Sequence, residues 1–144
     1  MSISCQLAFP PEQGEEVECI LKNAKTIAVV GLSARTSQPS HRVASYLQRH
    51  GFKIIPVNPK CDEVLGEKSY PDLKSIPEHI DIVDIFRNVE AIPGIVDEAI
   101  EVGADVVWMQ SGLQHEESAE KARRAGLHVV MNSCMKTQHS LLNR

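Results

Sequence analysis

The residues with the most chemistry to offer follow the apolar run Thr26-Ile27-Ala28-Val29-Val30. They read Gly31-Leu32-Ser33-Ala34-Arg35-Thr36-Ser37-Gln38-Pro39-Ser40-His41-Arg42. Serine hydroxyls donate to phosphate oxygens, and Arg35 and Arg42 supply positive charge. A helix beginning at Pro39 would aim its unpaired N–H groups at the same place, favouring an anion by about 0.3–1 kcal/mol, and ~2 when partly buried. Gly31 allows a sharp turn without a Cβ in the way. Together these residues have the makings of a phosphate cradle. The same serines would equally suit an ordinary strand-to-helix loop, as helix caps.

Other chemistry lies at the ends of later apolar runs. A dinucleotide fingerprint G-x-G-x-x-G would need glycines where this chain has Ser33 and Thr36. An NAD site also needs an acid after the second strand, to accept from the ribose hydroxyls. Here the chain reads Pro56-Val57-Asn58-Pro59-Lys60, with a lysine and no acid. A cation there suits an additional phosphate, so NADP or a 3′-phosphorylated nucleotide fits better than NAD. Further on, Phe86 could stack on an adenine or pack in the core, and Arg87 could stack or pair with phosphate. Gln110-Ser111-Gly112 places polar groups and a permissive glycine after another apolar run. Trp108, within that run, reads as core. Cys134 follows the last one. As a thiolate it could attack the disulfide of an oxidised ligand thiol, forming a mixed disulfide and releasing the other thiolate; a buried structural thiol is the competing reading.

Little else points to catalysis. The six histidines are His41, His50, His79, His115, His128 and His139, and none sits in a Ser-His-Asp, Cys-His or H-x-x-H pattern. His50, His79, His115 and His139 read as surface or loop residues, with His139 in the tail. Cys5, Cys19, Cys61 and Cys134 form no C-x-x-C pair and no zinc knuckle. The expectation is therefore no catalytic residue, no metal and no enzyme activity.

The elements that must position these groups follow from hydrophobic periodicity. Val17, Ile20, Leu21 and Ala24 recur at helical spacing after Pro10-Pro11, predicting an N-terminal helical segment within residues 1–24. Residues 25–144 then alternate strands and helices. Strands are expected at Thr26–Val30, Phe52–Val57, Ile80–Phe86, Asp105–Met109 and Leu127–Met131. Helices are expected from Pro39 to His50, across Ile92 to Ile100, and from about His115 to Ala125. Between Cys61 and Ile80, turn signals leave room only for short elements. Such alternation implies right-handed crossovers: an α/β chain, one Rossmann-like doubly wound parallel sheet with helices on both faces. The 144 residues make one compact domain by length. A formal net charge of −4 argues against bulk nucleic-acid or anionic-membrane binding. The longest apolar runs fall far short of the ~20 residues a membrane span needs. The first residues lack a signal-peptide pattern, so a cytoplasmic setting is expected.

Six short motifs stand in register at the strand ends: V-V-G-x-S, P-S-x-R-V, P-V-N-P-K, D-I-F-R, W-x-Q-x-G and V-V-M-x-x-C-M. With them the chain, from Lys25 to His139, resembles the stand-alone CoA-binding domain proteins. These are similar in turn to the N-terminal CoA-binding domain of the succinyl-CoA synthetase alpha subunit. The resemblance implies CoA as the cofactor, held at the first strand-to-helix loop. It implies that Gly31, Leu32, Ser33 and Ala34 line the cofactor, with Arg35 adding charge. Ser40 and Arg42 would lie beside the phosphates, and Asn58, Pro59 and Lys60 would receive the adenosine end. Phe86, Arg87, Gln110 and Gly112 would shape the rest of the pocket. Relatives often carry Asp-Arg before the cysteine, where this chain has Asn132-Ser133, which leaves those two positions without an implied role. The synthetase relies on a phosphorylated histidine in a second domain, and this chain has no room for one. The expectation is a CoA or acyl-CoA binding protein with no catalysis of its own and a small-molecule ligand. The alternatives are an NAD(P)-binding redox sensor or small reductase, and a protein-interaction subunit that keeps the fold without a ligand. A homodimer or an unknown protein partner stays open.

Overall fold

A computed structural model describes residues 13–142. Their order is α1 (Gln13–Asn23), β1 (Thr26–Val30), α2 (Pro39–Arg49), β2 (Lys53–Val57), β3 (Glu63–Val64), β4 (Glu67–Lys68), β5 (Ile82–Ile85), α3 (Ile92–Val102), β6 (Val106–Met109), α4 (Glu116–Arg124), β7 (His128–Val130) and α5 (Met135–Leu142). β3 and β4 form a separate antiparallel pair. Single 3-10 turns occupy Leu73–Ser75 and Val89–Ala91.

The main sheet is five-stranded and wholly parallel, in the order β2-β1-β5-β6-β7. Its strands are β-branched and apolar because both faces are covered, the pattern parallel sheets require. Side chains alternate between two cores. Ile27, Val29, Ile54, Ile82 and Trp108 face α1, α2 and α5 through Ile20, Leu47 and Met135. Ala28, Ile55, Val83, Val107 and Met109 face α3 and α4 through Ile92, Val96, Ala119 and Ala122. Burying each large aliphatic side chain is worth roughly 1.5–3 kcal/mol, which makes these two interfaces the main stabilising features.

The chain runs from β1 outward to β2 and then returns across β1 to begin β5. Strand order therefore reverses between β1 and β5, and a crevice opens beyond their carboxyl ends. The doubly wound α/β fold expected from the sequence is the fold observed, with three helices on one face and two on the other.

Several boundaries fall inside the expected ones. Phe52, Ile80, Asp81, Phe86, Asp105 and Met131 flank strands instead of extending them. The backbone pairing nonetheless continues a step further, since the Phe86 N–H donates to the Val30 carbonyl and the Asp81 N–H to the Thr26 carbonyl. α5 replaces the expected tail. It anchors through one buried residue, Met135, too little apolar patterning to announce a helix. His139 is consequently half-buried on α5 rather than at the surface, its Nδ1 2.9 Å from the Tyr46 hydroxyl. Burial, with His50 nearby, holds its pKa below the usual histidine value. The expected N-terminal segment is helical from Gln13, and its first twelve residues lie outside the described ones. Among the described residues no helix is long and apolar enough to cross a membrane.

Candidate functional site

Gly31 leaves β1 at the switch point with φ +87°, in the left-handed region that favours glycine. Its N–H donates to the Val57 carbonyl at 2.9 Å, tying it to β2. A Cβ at this position would overlap the carbonyl oxygen of Phe86 and stand 2.9 Å from Cδ of Arg87. The exits of β1 and β5 thus touch through backbone. Two independent constraints, conformation and contact, both demand glycine here.

Beyond Gly31 the loop is braced by its own polar groups. The Ser33 N–H donates to Ser40 Oγ at 3.0 Å, and the Arg35 N–H to Ser33 Oγ at 3.1 Å. Asn58 Nδ2 donates to the Leu32 carbonyl at 3.0 Å, Asn58 Oδ1 accepts from the Lys60 N–H at 2.9 Å, and the Asn58 carbonyl accepts from Ser69 Oγ at 3.0 Å. Asn58 is therefore a brace between the loops after β1 and β2. The serines do not cap α2, either. Its N-cap is Gln38, which makes no side-chain cap, and no acid stands in the first turn. The first N–H groups of this 11-residue helix stay available to an anion.

Two clefts flank the Gly31–Arg87 contact. The larger, about 480 Å³, collects Gly31, Ser33, Ser40, Phe86, Arg87 and Gln110 from the expected set. It also takes in Val43, Leu113 and Cys134. The smaller, about 230 Å³, lies toward β2, where Pro59 and the apolar side chains of Val57, Leu73 and Ile95 line it beside Gly31 and Arg87. Acids stand at this smaller cleft too, Asp72 and Glu98. Hydrogen bonds from the Ser75 hydroxyl and N–H hold the Asp72 carboxyl below its ordinary pKa.

The remaining expected residues are not gathered into either cleft. The Leu32 side chain is fully buried in the core, so it offers only backbone. Ala34, Arg35, Arg42 and Lys60 are exposed on the surrounding loops. Gly112 is exposed as well, its N–H donating to Asn132 Oδ1 at 2.7 Å. Asn132 itself has φ +52°. With the Ser133 carbonyl accepting from the Trp108 indole N–H at 2.8 Å, the Asn132-Ser133 pair serves to join the loops after β6 and β7. Trp108 is wholly buried, as its place on a strand implied.

Asp84 opens the D-I-F-R motif but was not among the expected site residues. It lies on β5 in register with Val29 and Trp108, completely buried. Its Oδ1 accepts from Nε2 of Gln110. Its Oδ2 is the one buried side-chain polar atom among the described residues without a hydrogen-bond partner. Burial raises its pKa to about 7, against an opposing effect of the Gln110 hydrogen bond. The signal was an acid in the middle of Ile82-Val83-Asp84-Ile85, where every neighbour is aliphatic.

At the opposite end of the sheet, His79, Asp81 and Asp105 bring ligand-type atoms within 4.8 Å of one another, a grouping their spacing in sequence did not announce. His79 Nε2 lies 2.8 Å from Asp105 Oδ2 and 3.5 Å from Asp81 Oδ1. Asp81 Oδ2 already accepts the N–H groups of Lys25 and Thr26, at 2.8 and 3.0 Å. These contacts fasten the start of β1 to the segment before β5.

Comparison with known proteins places the domain as a whole among relatives. Residues 25–140 match the family model described as CoA binding domain. The chain is 44% identical over 126 residues to the uncharacterized protein YneT of Bacillus subtilis, covering 88% of this chain and 93% of that one. It is 33% identical over 105 residues to the ADP-forming acetate–CoA ligase II of Archaeoglobus fulgidus, covering 69% of this chain but only 16% of the ligase. A solved structure of a hypothetical protein from Pyrococcus horikoshii superposes with a TM-score of 0.89 at 40% identity, covering 92% of this chain and 94% of that one.

Proposed function

This chain belongs to the CoA binding domain family, and on that premise we propose that it binds CoA or an acyl-CoA across the β1–β5 switch point, without catalysis of its own. The observation that carries the reading is the pair of clefts meeting at Gly31 and Arg87 beside the uncapped start of α2. CoA is a long ligand with a charged middle. Its pyrophosphate suits the N–H groups of α2 together with Arg87, because a helix N-terminus and a guanidinium both favour anions. The smaller cleft offers Pro59, Leu73 and Ile95 to an adenine face. The larger cleft offers Val43, Phe86 and Leu113 to the pantetheine arm. The acetate ligase shares only the portion of its length matched here, so its ligase activity is not carried over. A cytoplasmic setting is part of the same proposal.

Lys60 provides the test. It stands exposed beside Pro59, where a 3′-phosphate on the adenosine ribose would meet a cation. Replacing it (Lys60→Ala) is expected to weaken CoA binding roughly three- to tenfold, in keeping with one charge-assisted contact at an exposed position. Dephospho-CoA, which lacks that phosphate, should bind wild type and variant alike. Calorimetric titration of both proteins with both ligands measures this. An equal loss for the two ligands would rule out the role given to Lys60.

A further inference from the structure

Asp84 is an expensive residue to keep where it is. A strand position between Val29 and Trp108 asks for an aliphatic side chain, and a buried polar atom without a partner forfeits its hydration with no hydrogen bond in return. Asp84 stands behind Gln110 and outside the lining of the large cleft. Its one partner, Gln110, does line the cleft and is itself 4% exposed. Because the Gln110 amide nitrogen is committed to Asp84, the group Gln110 offers the cleft is its carbonyl oxygen.

We propose that Asp84 is a positioning residue that holds the Gln110 amide with its NH2 inward and its carbonyl toward the cleft, so that a hydrogen-bond donor on the ligand is read there. The proposal rests on the CoA reading for the identity of that donor, an amide N–H of the pantetheine arm. The ionised carboxylate can only accept, and so it dictates the orientation of the amide. A protonated carboxyl would donate its O–H to the Gln110 carbonyl oxygen. The amide would then turn over and present NH2 to the cleft, where it meets ligand acceptors instead. The carboxyl of Asp84 changes charge near neutrality, so both orientations lie within reach of ordinary buffers.

Among the described residues no other charge faces Asp84 from the elements packed around it. β1 and β6 carry no ionisable side chain, and the residues buried on α1, α2 and α5 are all uncharged. The ionisable groups of the cleft itself are Arg87 and Cys134. Burial and the Gln110 hydrogen bond are the causes of the shift at Asp84, with no charge pair among them.

Two measurements test the assignment. In ligand-free, 15N-labelled protein, the side-chain amide resonance of Gln110 is expected to titrate with a midpoint near 7 and to lose that titration in Asp84→Asn. A wild-type Gln110 amide indifferent to pH would overturn the proposal without any ligand being involved. In the second, CoA affinity is measured on the acid and alkaline sides of neutrality for both proteins. The phosphates of CoA titrate equally in both experiments, so the difference between proteins isolates residue 84. Wild type should bind about three- to tenfold more tightly on the alkaline side, relative to Asp84→Asn, the worth of one hydrogen bond. Identical pH profiles for the two proteins would overturn the proposal. A titrating amide in a protein that binds no CoA at any pH would instead sink the CoA reading and leave the positioning role standing.

Discussion

Gly31→Ala is expected to destabilise the protein by about 2–5 kcal/mol and to abolish ligand binding at the switch point. The left-handed conformation alone costs an alanine roughly 1–2 kcal/mol. The steric conflict adds to it, on the scale of about 1–3 kcal/mol for overpacking. Its severity comes from what the new methyl meets. Arg87 Cδ belongs to a flexible side chain and can swing aside. The Phe86 carbonyl belongs to a backbone that cannot, because the adjacent Phe86 N–H is bonded to Val30 at 2.9 Å. Relief would have to come from parting β1 and β5, the strands that frame both clefts. Denaturant unfolding should show a lower midpoint at an unchanged slope. A change within ~0.5 kcal/mol, typical of an unconstrained surface site, would contradict the geometry described for this turn.

The second large effect concerns stability and pH. The Asp84 carboxyl titrates near 3.8 when exposed and near 7 in the folded protein. Between those values the folded state holds a proton that the unfolded chain has released. The stability contributed by this raised pKa is complete below about 3.8 and is lost as pH rises through about 7. About three pKa units at 1.36 kcal/mol each give an upper value of about 4 kcal/mol. Asp84→Asn resembles the neutral acid in shape and cannot ionise. The variant should match wild type only at about pH 3.8 and below, become progressively more stable relative to it through mild acid toward neutrality, and hold a constant advantage above about 7. Thermal or denaturant unfolding across that range reads the divergence. Parallel curves for the two proteins would show that Asp84 is not the buried, proton-holding group described.

Much of this architecture is legible in the sequence. The β-branched run Thr26–Val30 and its successors alternate with amphipathic helices. A parallel sheet leaves such segments little choice of arrangement, so the sites at strand exits followed from topology. Gly31, Ser33, Phe86, Arg87 and Gln110, which line the larger cleft, were singled out that way, and Pro59, which lines the smaller, by the missing acid after β2; Lys60, singled out with it, lies outside both. What was not legible depends on contacts between distant segments. Asn58 and Ser40 read as ligand groups, yet much of their hydrogen-bonding capacity goes to bracing loops, a fact that depends on Leu32 and Ser33 being adjacent in space. Asp84 is marked by its aliphatic neighbours and its place in D-I-F-R, but its link to Gln110 spans two strands. The division into two clefts arises from the meeting of Gly31 with Phe86 and Arg87, which no local pattern encodes. α5 was missed because a helix anchored by a single methionine has almost no apolar period.

On the proposed function, the switch-point site takes CoA and not a nicotinamide dinucleotide. Parallel calorimetric titrations of the wild-type protein with CoA, NADH and NADPH test it most directly. Saturable one-to-one binding of CoA is expected, with no heat of binding for NADH. Saturable binding of NADPH or NADH without binding of CoA would contradict it.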